Sequence, residues 1–155
     1  MVLKIQVWGR SLMTLQKIAF GCDHAGFPFK EALKATVLKC GMDAIDFGTT
    51  SDDPVDYPDF AKPVAKALVA GEVEKGVLIC GTGIGMSMSA NRVTGVRAAL
   101  CTNSEMAALS RLHNNANILV LGARVIDLAI AQDCFKAFLE TQFEGGRHLK
   151  RVKKI

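Results

Sequence analysis

The sequence predicts an α/β protein with a mostly parallel, five-stranded sheet and helices on both of its faces. Short apolar segments alternate five times with longer segments of helical periodicity, and the connections between them are short. The apolar segments lack the polar–apolar alternation of half-exposed strands, as expected where both faces are covered. With 155 residues, half of them hydrophobic, the chain is long enough for one domain with a sizeable core.

The first two strands are predicted at Lys17–Phe20 and Ala44–Phe47. Between them, apolar residues recur with helical spacing over Phe27–Cys40, and Gly41 follows at the position where helices commonly end on glycine. Residues 48–58 are rich in Pro, Asp and Thr, which predicts a loop.

The later elements continue the alternation. A second helix is predicted from an Asp59 cap to about residue 70, and a third helix follows the glycine-rich loop after the third strand. A fourth helix is predicted from a cap at Asn103 or Ser104 to about residue 112. The other elements are three strands and a final helix, at Val77–Ile79, Val96–Leu100, Ile118–Leu121 and Ile126–Gln142.

Composition excludes several functional classes. The net charge is +4, and five basic residues fall within positions 147–154, but aromatic residues make up only 6% of the chain, which argues against nucleic-acid binding. No apolar run approaches the roughly 18 residues of a membrane span. The five cysteines are odd in number and contain no C-x-x-C pair, so reduced thiols in the cytoplasm are expected. Residues 1–12 are predicted to be an N-terminal extension, disordered or resulting from the choice of start site.

The segment GVLICGTGIGMSMSAN, residues 76–91, carries the strongest functional signal. Cys80 ends the third strand, and Gly81, Gly83 and Gly85 alternate behind it, with Thr82 between the first two. Such a loop aims backbone N–H groups at an anion or at an oxyanion formed during a reaction. The alternative is that the glycines only allow a tight turn between strand and helix.

The glycine loop is not a nucleotide-binding motif. A G-x-G-x-x-G fingerprint would require glycine where Met86 stands, and no G-K-[ST] sequence follows. A metal site from Cys22, Asp23, His24 and Cys80 has suitable residue types but no recognised ligand spacing. The sequence therefore predicts no cofactor and no metal.

Other polar residues lie where parallel strands are expected to end, at the edge where such folds bind ligands. Asp23 and His24 follow strand one, and Arg124 follows strand five. Tyr57, the only tyrosine, could close over a ligand or merely cover the core. Arg124, Arg147 and Arg151 could clamp a phosphate, because guanidinium groups match its geometry. The alternative for each is an ordinary turn, surface or capping residue, as it is for His113 and His148.

Five separated segments resemble the type B ribose-5-phosphate isomerases, in the wider group that includes galactose-6-phosphate isomerase subunits. The resemblance runs from about Met13 to Ile155 in the family's order, so residues 13–155 are expected to form one sugar-phosphate isomerase domain. The segments are GCDHAGF (21–27), DYPDFA (56–61), ICGTGIGMSMSANR (79–92), SRLHNNANIL (110–119) and EGGRHLKRV (144–152).

The resemblance implies a Rossmann-like three-layer α/β/α sandwich that forms homodimers with active sites at the subunit interface, and it leaves open whether dimers pair into tetramers. It implies interconversion of ribose 5-phosphate and ribulose 5-phosphate through a cis-enediolate, without a metal, in the pentose phosphate pathway. Cys80 is then the base between C1 and C2, and His113 the acid that opens the sugar ring. Thr82 lies near the migrating proton, and Asp23 contacts the substrate.

The remaining positions are implied to bind substrate. Gly81, Gly83, Ile84 and Gly85 belong to the anion hole, Asn114 binds a sugar hydroxyl, and His24 faces the phosphate or ring oxygen. Tyr57 lies over the ligand. Three arginines hold the phosphate, some of them from the partner subunit: Arg124, Arg147 and Arg151.

Alternative functions remain open at this point. The same chemistry could act on allose 6-phosphate or galactose 6-phosphate, because the sequence does not fix the length of the pocket. A non-catalytic sugar-phosphate sensor would keep the arginines and the glycine loop without the acid–base pair. A thiol redox protein is disfavoured because no resolving cysteine lies near Cys80 in sequence.

Overall fold

The computed structural model describes residues 16–155, and the predicted extension over residues 1–12 lies outside them. The strands are β1 Lys17–Cys22, β2 Asp43–Asp46, β3 Lys75–Cys80, β4 Ala98–Leu100 and β5 Ile118–Gly122. The helices are α1 Phe27–Lys39, α2 Pro58–Val69, α3 Ile84–Ala90, α4 Ser104–Asn114, α5 Leu128–Glu140 and α6 Leu149–Val152, with a 3₁₀ turn at Gly146–His148. The predicted alternation of strands and helices is confirmed. The short helical turns after residue 145 were not predicted.

The five strands form one sheet in the order β2-β1-β3-β5-β4, and every neighbouring pair is parallel. The next strand in the chain after β1 is β2, which pairs with one side of β1, and the strand after that is β3, which pairs with its other side. The crevice beyond the carboxyl ends of β1 and β3 is therefore a topological switch point, where open α/β sheets bind ligands.

Two apolar clusters make the fold a three-layer sandwich, as predicted. One face of the sheet is covered by α1, α4 and α5, with Phe20 packed against Phe135 at 6.1 Å between ring centroids. The opposite face is covered by α2 and α3, where Val64 and Met86 are fully buried. Both faces of β3 are buried along its whole length, which explains its continuous apolar sequence.

Several helix ends follow the predicted local signals. The Asn103 side chain accepts the Met106 N–H at 2.8 Å and caps α4. Gly41 and Gly71 follow α1 and α2 with φ of 73° and 75°, a conformation that favours glycine. A side-chain hydrogen bond and the conformational freedom of glycine therefore set these helix ends, and both are local features of the sequence.

Other boundaries differ from the prediction for local reasons. Asp59 is not a cap, because Pro58 already opens α2 with the ring-fixed φ that suits a first helical residue. The final helix begins at Leu128 rather than two residues earlier, because the Asp127 carboxylate accepts the Ile130 N–H at 2.9 Å. Strand four shortens because the Asn117 side chain takes the Arg97 N–H at 2.7 Å.

The sheet has two edges that matter for function, a carboxyl edge where strands end and an amino edge where they begin. The helices run back from the first to the second, so the end of α4 lies at the amino edge. There the Gly76 N–H, at the start of β3, donates to the Asn117 carbonyl at 2.9 Å. The tail after α5 lies beside it, because the Glu144 N–H donates to the Leu112 carbonyl at 3.0 Å. Over residues 16–155, none of the helices has the length and apolar character that crossing a bilayer requires.

Candidate active site

Cys80 lies at the carboxyl end of β3, directly before the glycine loop. The residue is only 4% exposed, and its Sγ accepts a hydrogen bond from the Gly83 N–H at 3.1 Å. Gly83 has φ of 79° and immediately precedes α3, so the chain turns sharply and points that N–H back at the sulfur. The sulfur is therefore held against a backbone N–H group at the end of a buried strand, and a cysteine acts as a base through its thiolate.

The glycines also allow two side chains to approach the loop closely. A Cβ at Gly85 would collide with the Tyr57 ring, and a Cβ at Gly81 would lie 3.3 Å from Nη1 of Arg124. Only Gly83, within this loop, requires a positive φ. Gly83 therefore serves the turn, while Gly85 and, to a lesser degree, Gly81 leave room for Tyr57 and Arg124.

The start of the glycine loop is joined by backbone hydrogen bonds to the residues that follow β5, the neighbouring strand in the sheet. The Ala123 and Arg124 N–H groups donate to the carbonyls of Cys80 and Gly81, each at 2.9 Å. Thr82 is exposed, and its Oγ1 accepts the Ile84 N–H at 3.2 Å. The exposed Ile84 side chain opens α3 beside it. Arg124 and Thr82 thus both lie at this loop.

Asp23 and His24 reach this site from the end of β1. The Asp23 N–H donates to the Ile79 carbonyl, and its Oδ1 accepts the Ala25 and Gly26 N–H groups. Asp23 therefore does have the turn role that was its alternative interpretation. The His24 Nδ1 accepts the Val55 N–H at 3.2 Å, so the proton of the neutral ring lies on Nε2.

A buried lysine holds the loop that carries Tyr57. The Lys30 Nζ donates to the Thr49 carbonyl at 2.7 Å and lies 2.9 Å from Asp46 Oδ2, while the residue is 1% exposed. This contact anchors the start of the loop, and the bond between Val55 and His24 anchors its end. Tyr57 then follows at the start of α2, against Gly85.

Four of the predicted site residues lie at the other edge of the sheet. His113 and Asn114 end α4, and Arg147 and Arg151 belong to the tail beside it. β3 has six residues, so the edges are separated by about 16 Å at a rise of about 3.3 Å per residue. One copy of the chain therefore does not bring His113 to Cys80. The predicted strand–helix alternation could have shown this separation. In a strand–helix unit, the strand ends at the carboxyl edge and the following helix ends at the amino edge.

His148 and Glu144 accompany His113 at the amino edge, and the sequence did not single them out for this. The rings of His113 and His148 stack at 4.3 Å between centroids with 14° between planes. Glu144 Oε2 lies 3.3 Å from His148 Nε2 and 3.9 Å from His113 Nε2. His148 is 5% exposed, so its interpretation as a surface histidine is wrong. The pair Gly145-Gly146 was the available signal, because both have positive φ and turn His148 back onto His113.

These three side chains also supply the donor atoms of a possible metal site. Their ligand atoms all lie within 4.8 Å of one another. However, the lone pairs of nearly parallel imidazoles run side by side, so one ring would have to rotate before both could bind one ion. The metal site considered from the sequence, which combined Cys22 and Cys80 with Asp23 and His24, is excluded by geometry. Cys22 and Cys80 point to opposite faces of the sheet. Burial also raises the pKa of the Cys22 thiol to about 12.

Sequence comparison identifies the family of this chain. Residues 18–155 match the family described as Ribose/Galactose Isomerase. The chain belongs to the ribose/galactose isomerase family. Ribose-5-phosphate isomerase B of Escherichia coli K12 is 48% identical over 141 residues, which cover 91% of this chain and 95% of that protein. D-erythrulose-4-phosphate isomerase of Pectobacterium atrosepticum is 39% identical, covering 89% and 91% of the two chains.

Structural comparison places the chain in the same family. The structure of Clostridium thermocellum ribose-5-phosphate isomerase B superposes with a TM-score of 0.88 at 50% identity, covering 90% of this chain and 94% of that one. The three-layer α/β fold with its five-stranded parallel sheet is thus the fold of a ribose/galactose isomerase. The family match over residues 18–155 includes both groups of candidate residues.

Proposed function

We propose that this protein interconverts ribose 5-phosphate and ribulose 5-phosphate in the pentose phosphate pathway, with no metal or cofactor. The observation that carries the proposal is the nearly buried Cys80 sulfur, which faces a loop of backbone N–H groups at the switch point of the sheet. Membership of an isomerase family supports it, as does the high identity to a ribose-5-phosphate isomerase B. Free cysteines among the described residues fit a reducing, cytoplasmic compartment.

The central step is a proton transfer between adjacent carbons. The Cys80 thiolate removes the proton from C2 of the open-chain aldose, and the electron pair moves to the C1 oxygen to give a cis-enediolate. A proton then passes from the C2 hydroxyl to the C1 oxygen. The thiol returns its proton to C1, and the electron pair on the C2 oxygen forms the C2 carbonyl, which regenerates the thiolate. N–H groups of the glycine loop stabilise the negative oxygen, and losing one such donor typically costs about 100–1000-fold in rate.

Ring opening requires an acid, and we assign this to His113 of a second copy of the chain. His113 protonates the ring oxygen of the furanose while the C1 hydroxyl loses its proton, which gives the open-chain aldehyde. Because His113 lies at the amino edge and Cys80 at the carboxyl edge, a homodimer would join the two edges. Exposed apolar side chains next to the loop support such an interface, with Ile84 at 49% and Met88 at 67% exposure.

The phosphate is the remote handle that positions the reacting carbons. Arg124 lies against the glycine loop at the carboxyl edge, while Arg147 and Arg151 lie at the amino edge. In a dimer they would grip the phosphate from two subunits. Asn114 beside His113 would bind a sugar hydroxyl, and His24 would donate its Nε2 proton to the substrate.

A panel of sugar phosphates tests the proposal. Ribose 5-phosphate, allose 6-phosphate, galactose 6-phosphate and erythrulose 4-phosphate are compared by kcat/KM, with the last included because of the Pectobacterium relative's name. We expect ribose 5-phosphate to be the best substrate. The absence of ribose 5-phosphate turnover would reject this function. A protein that binds these phosphates without exchanging any C2 proton would be a sensor.

A further inference from the structure

The side chains behind His113 carry an inference that rests on the proposed function and deepens it. An acid must hold a proton and aim it at the substrate. His113 is half-exposed at the end of α4, where a single imidazole would rotate freely. Instead its ring lies flat on the ring of His148, with 4.3 Å between centroids. The stack fixes the plane in which His113 presents its N–H.

Burial and nearby charges disfavour a positive charge on His148. Burial lowers the pKa of His148, and the neighbouring charges of His113, Arg147 and Arg151 lower it further, while Glu144 opposes them. Two stacked imidazolium ions would also repel each other. His148 is therefore suited to support its neighbour as a neutral ring.

Glu144 lies beside both rings of the stack. Its backbone N–H donates to the Leu112 carbonyl at 3.0 Å, which fixes it beside the last turn of α4. Its Oε2 is 3.9 Å from His113 Nε2 and 3.3 Å from His148 Nε2, so the carboxylate places a negative charge beside both rings. The side chain is 55% exposed, and glutamine at this position would keep an oxygen beside the buried His148.

His148 also connects the acid to the phosphate group of the site. The Arg147 Nε lies 3.4 Å from His148 Nε2 and donates to it. The Glu144 Oε2 lies 3.3 Å from the same Nε2, so this nitrogen contacts both the arginine and the carboxylate. The same ring thus supports His113 on its face and Arg147 at its edge.

We propose that Glu144 and His148 are positioning residues for ring opening, with Glu144 placing a negative charge beside the His113 ring and His148 fixing the plane of that ring. Neither residue touches the reacting carbons in this assignment. Their replacement should therefore slow the opening of the furanose and spare the proton transfer at Cys80.

Ring opening is measured alone in the full-length Cys80→Ala protein, which lacks the base for isomerisation. Exchange between the α and β furanose anomers of ribose 5-phosphate, followed by NMR, reports opening and closure of the ring. We expect Cys80→Ala protein to accelerate this exchange. Adding Glu144→Gln should slow it about fivefold at neutral pH, a size set by two unit charges about 4 Å apart in water, and should move the alkaline limb of its pH profile to lower pH.

Glu140→Gln is the matched control, because Glu140 is a partly exposed carboxylate that pairs only weakly with Lys136 at 4.0 Å. It should leave the exchange unchanged. Equal exchange rates and pH profiles for Glu144→Gln and Glu140→Gln would overturn the role of Glu144. Failure of Cys80→Ala protein to accelerate exchange would overturn the whole proposal. Both results are distinct from failure of the proposed function, which is read from the wild-type protein on ribose 5-phosphate.

Two replacements of His148 separate its stacking role from a general loss of stability. His148→Phe keeps an aromatic face under His113 and should retain exchange within about twofold, a range smaller than the fivefold charge effect expected at Glu144. His148→Ala removes that face and should slow exchange severalfold. Thermal unfolding is recorded for both variants. Equal exchange rates for the folded His148→Phe and His148→Ala variants would reject the stacking role. If His148→Ala does not fold, loss of exchange by folded His148→Phe would reject it instead.

Discussion

The two edges of the sheet hold the predicted site residues in contrasting ways. At the carboxyl edge, backbone geometry builds the site: Gly83 turns an N–H onto Cys80, and glycines let Tyr57 and Arg124 approach. At the amino edge, side chains build it, through the stack of His113 on His148 and the nearby Glu144. The carboxyl-edge residues directly follow buried strands, whereas the amino-edge residues depend on contacts made by the short C-terminal tail. The contrast teaches that the proposed base is preorganised by the core, while the proposed acid depends on side-chain contacts near the C-terminus.

The largest expected effect is at the carboxyl edge. Cys80→Ala should lower isomerisation by about 100- to 10,000-fold, the usual contribution of a positioned proton-transfer group. Binding of a phosphate ligand should persist, because the arginines are untouched. Solvent exchange of the C2 proton and calorimetric binding measure the two effects. Cys40→Ala is the control, since this exposed thiol lies far from the loop, and near-normal turnover by Cys80→Ala would refute the base assignment.

Mixing two inactive proteins tests whether the edges meet across subunits. Cys80→Ala and His113→Asn proteins are each expected to lose most activity. In a mixed dimer, one site combines the intact Cys80 of one copy with the intact His113 of the other. After subunit exchange, an equal mixture should recover about a quarter of wild-type activity, because about half of random dimers are mixed and each has one intact site of two. No recovery in dimers shown to have exchanged would place the acid and the base in the same copy.

A matched pair of glycines tests the backbone design of the carboxyl edge. Gly83 and Gly71 have φ of 79° and 75°, but a Cβ at Gly83 would lie 2.5 Å from Leu100 Cδ1, whereas nothing lies within 4 Å at Gly71. Gly71→Ala should lower the free energy of unfolding by about 1–2 kcal/mol from backbone strain alone. Gly83→Ala should cost more and should also impair catalysis. Denaturant unfolding and kcat compare them, and equal losses for both would show that the loop tolerates the added atom.

The smallest effect concerns the pH dependence of stability at the amino edge. The pKa of His148 is lowered in the folded state from 6.5, so below that pH the unfolded chain binds more protons than the folded one. The free energy of unfolding should therefore fall as pH drops below 6.5 toward the lowered value. His148→Phe should flatten this part of the profile. Thermal unfolding between pH 5 and 8 measures it, and an identical slope in the variant would contradict a depressed His148 pKa.

The sequence by itself determined which strands and longer helices form and where the glycine-rich loop after Cys80 lies. Strand–helix alternation, the Asn103 cap and the glycines after helices are local signals, since they depend on residues within one or two turns. The Cys80 loop was readable for the same reason. Some helices begin one or two residues away from the predicted position because a neighbouring residue gives a stronger start signal. This is the case for Pro58 beside Asp59 and for Asp127 at the final helix.

Only the tertiary structure decided which site residues lie together. His113 and Cys80 lie on opposite edges because helices return antiparallel to their strands, and no spacing along the chain states that separation directly. The burial of His148 depends on two positive-φ glycines folding the tail back onto α4. The approach of Tyr57 to Gly85 depends on a loop anchored by Lys30 and His24. Each of these contacts joins segments distant in sequence, so packing rather than local preference determines it.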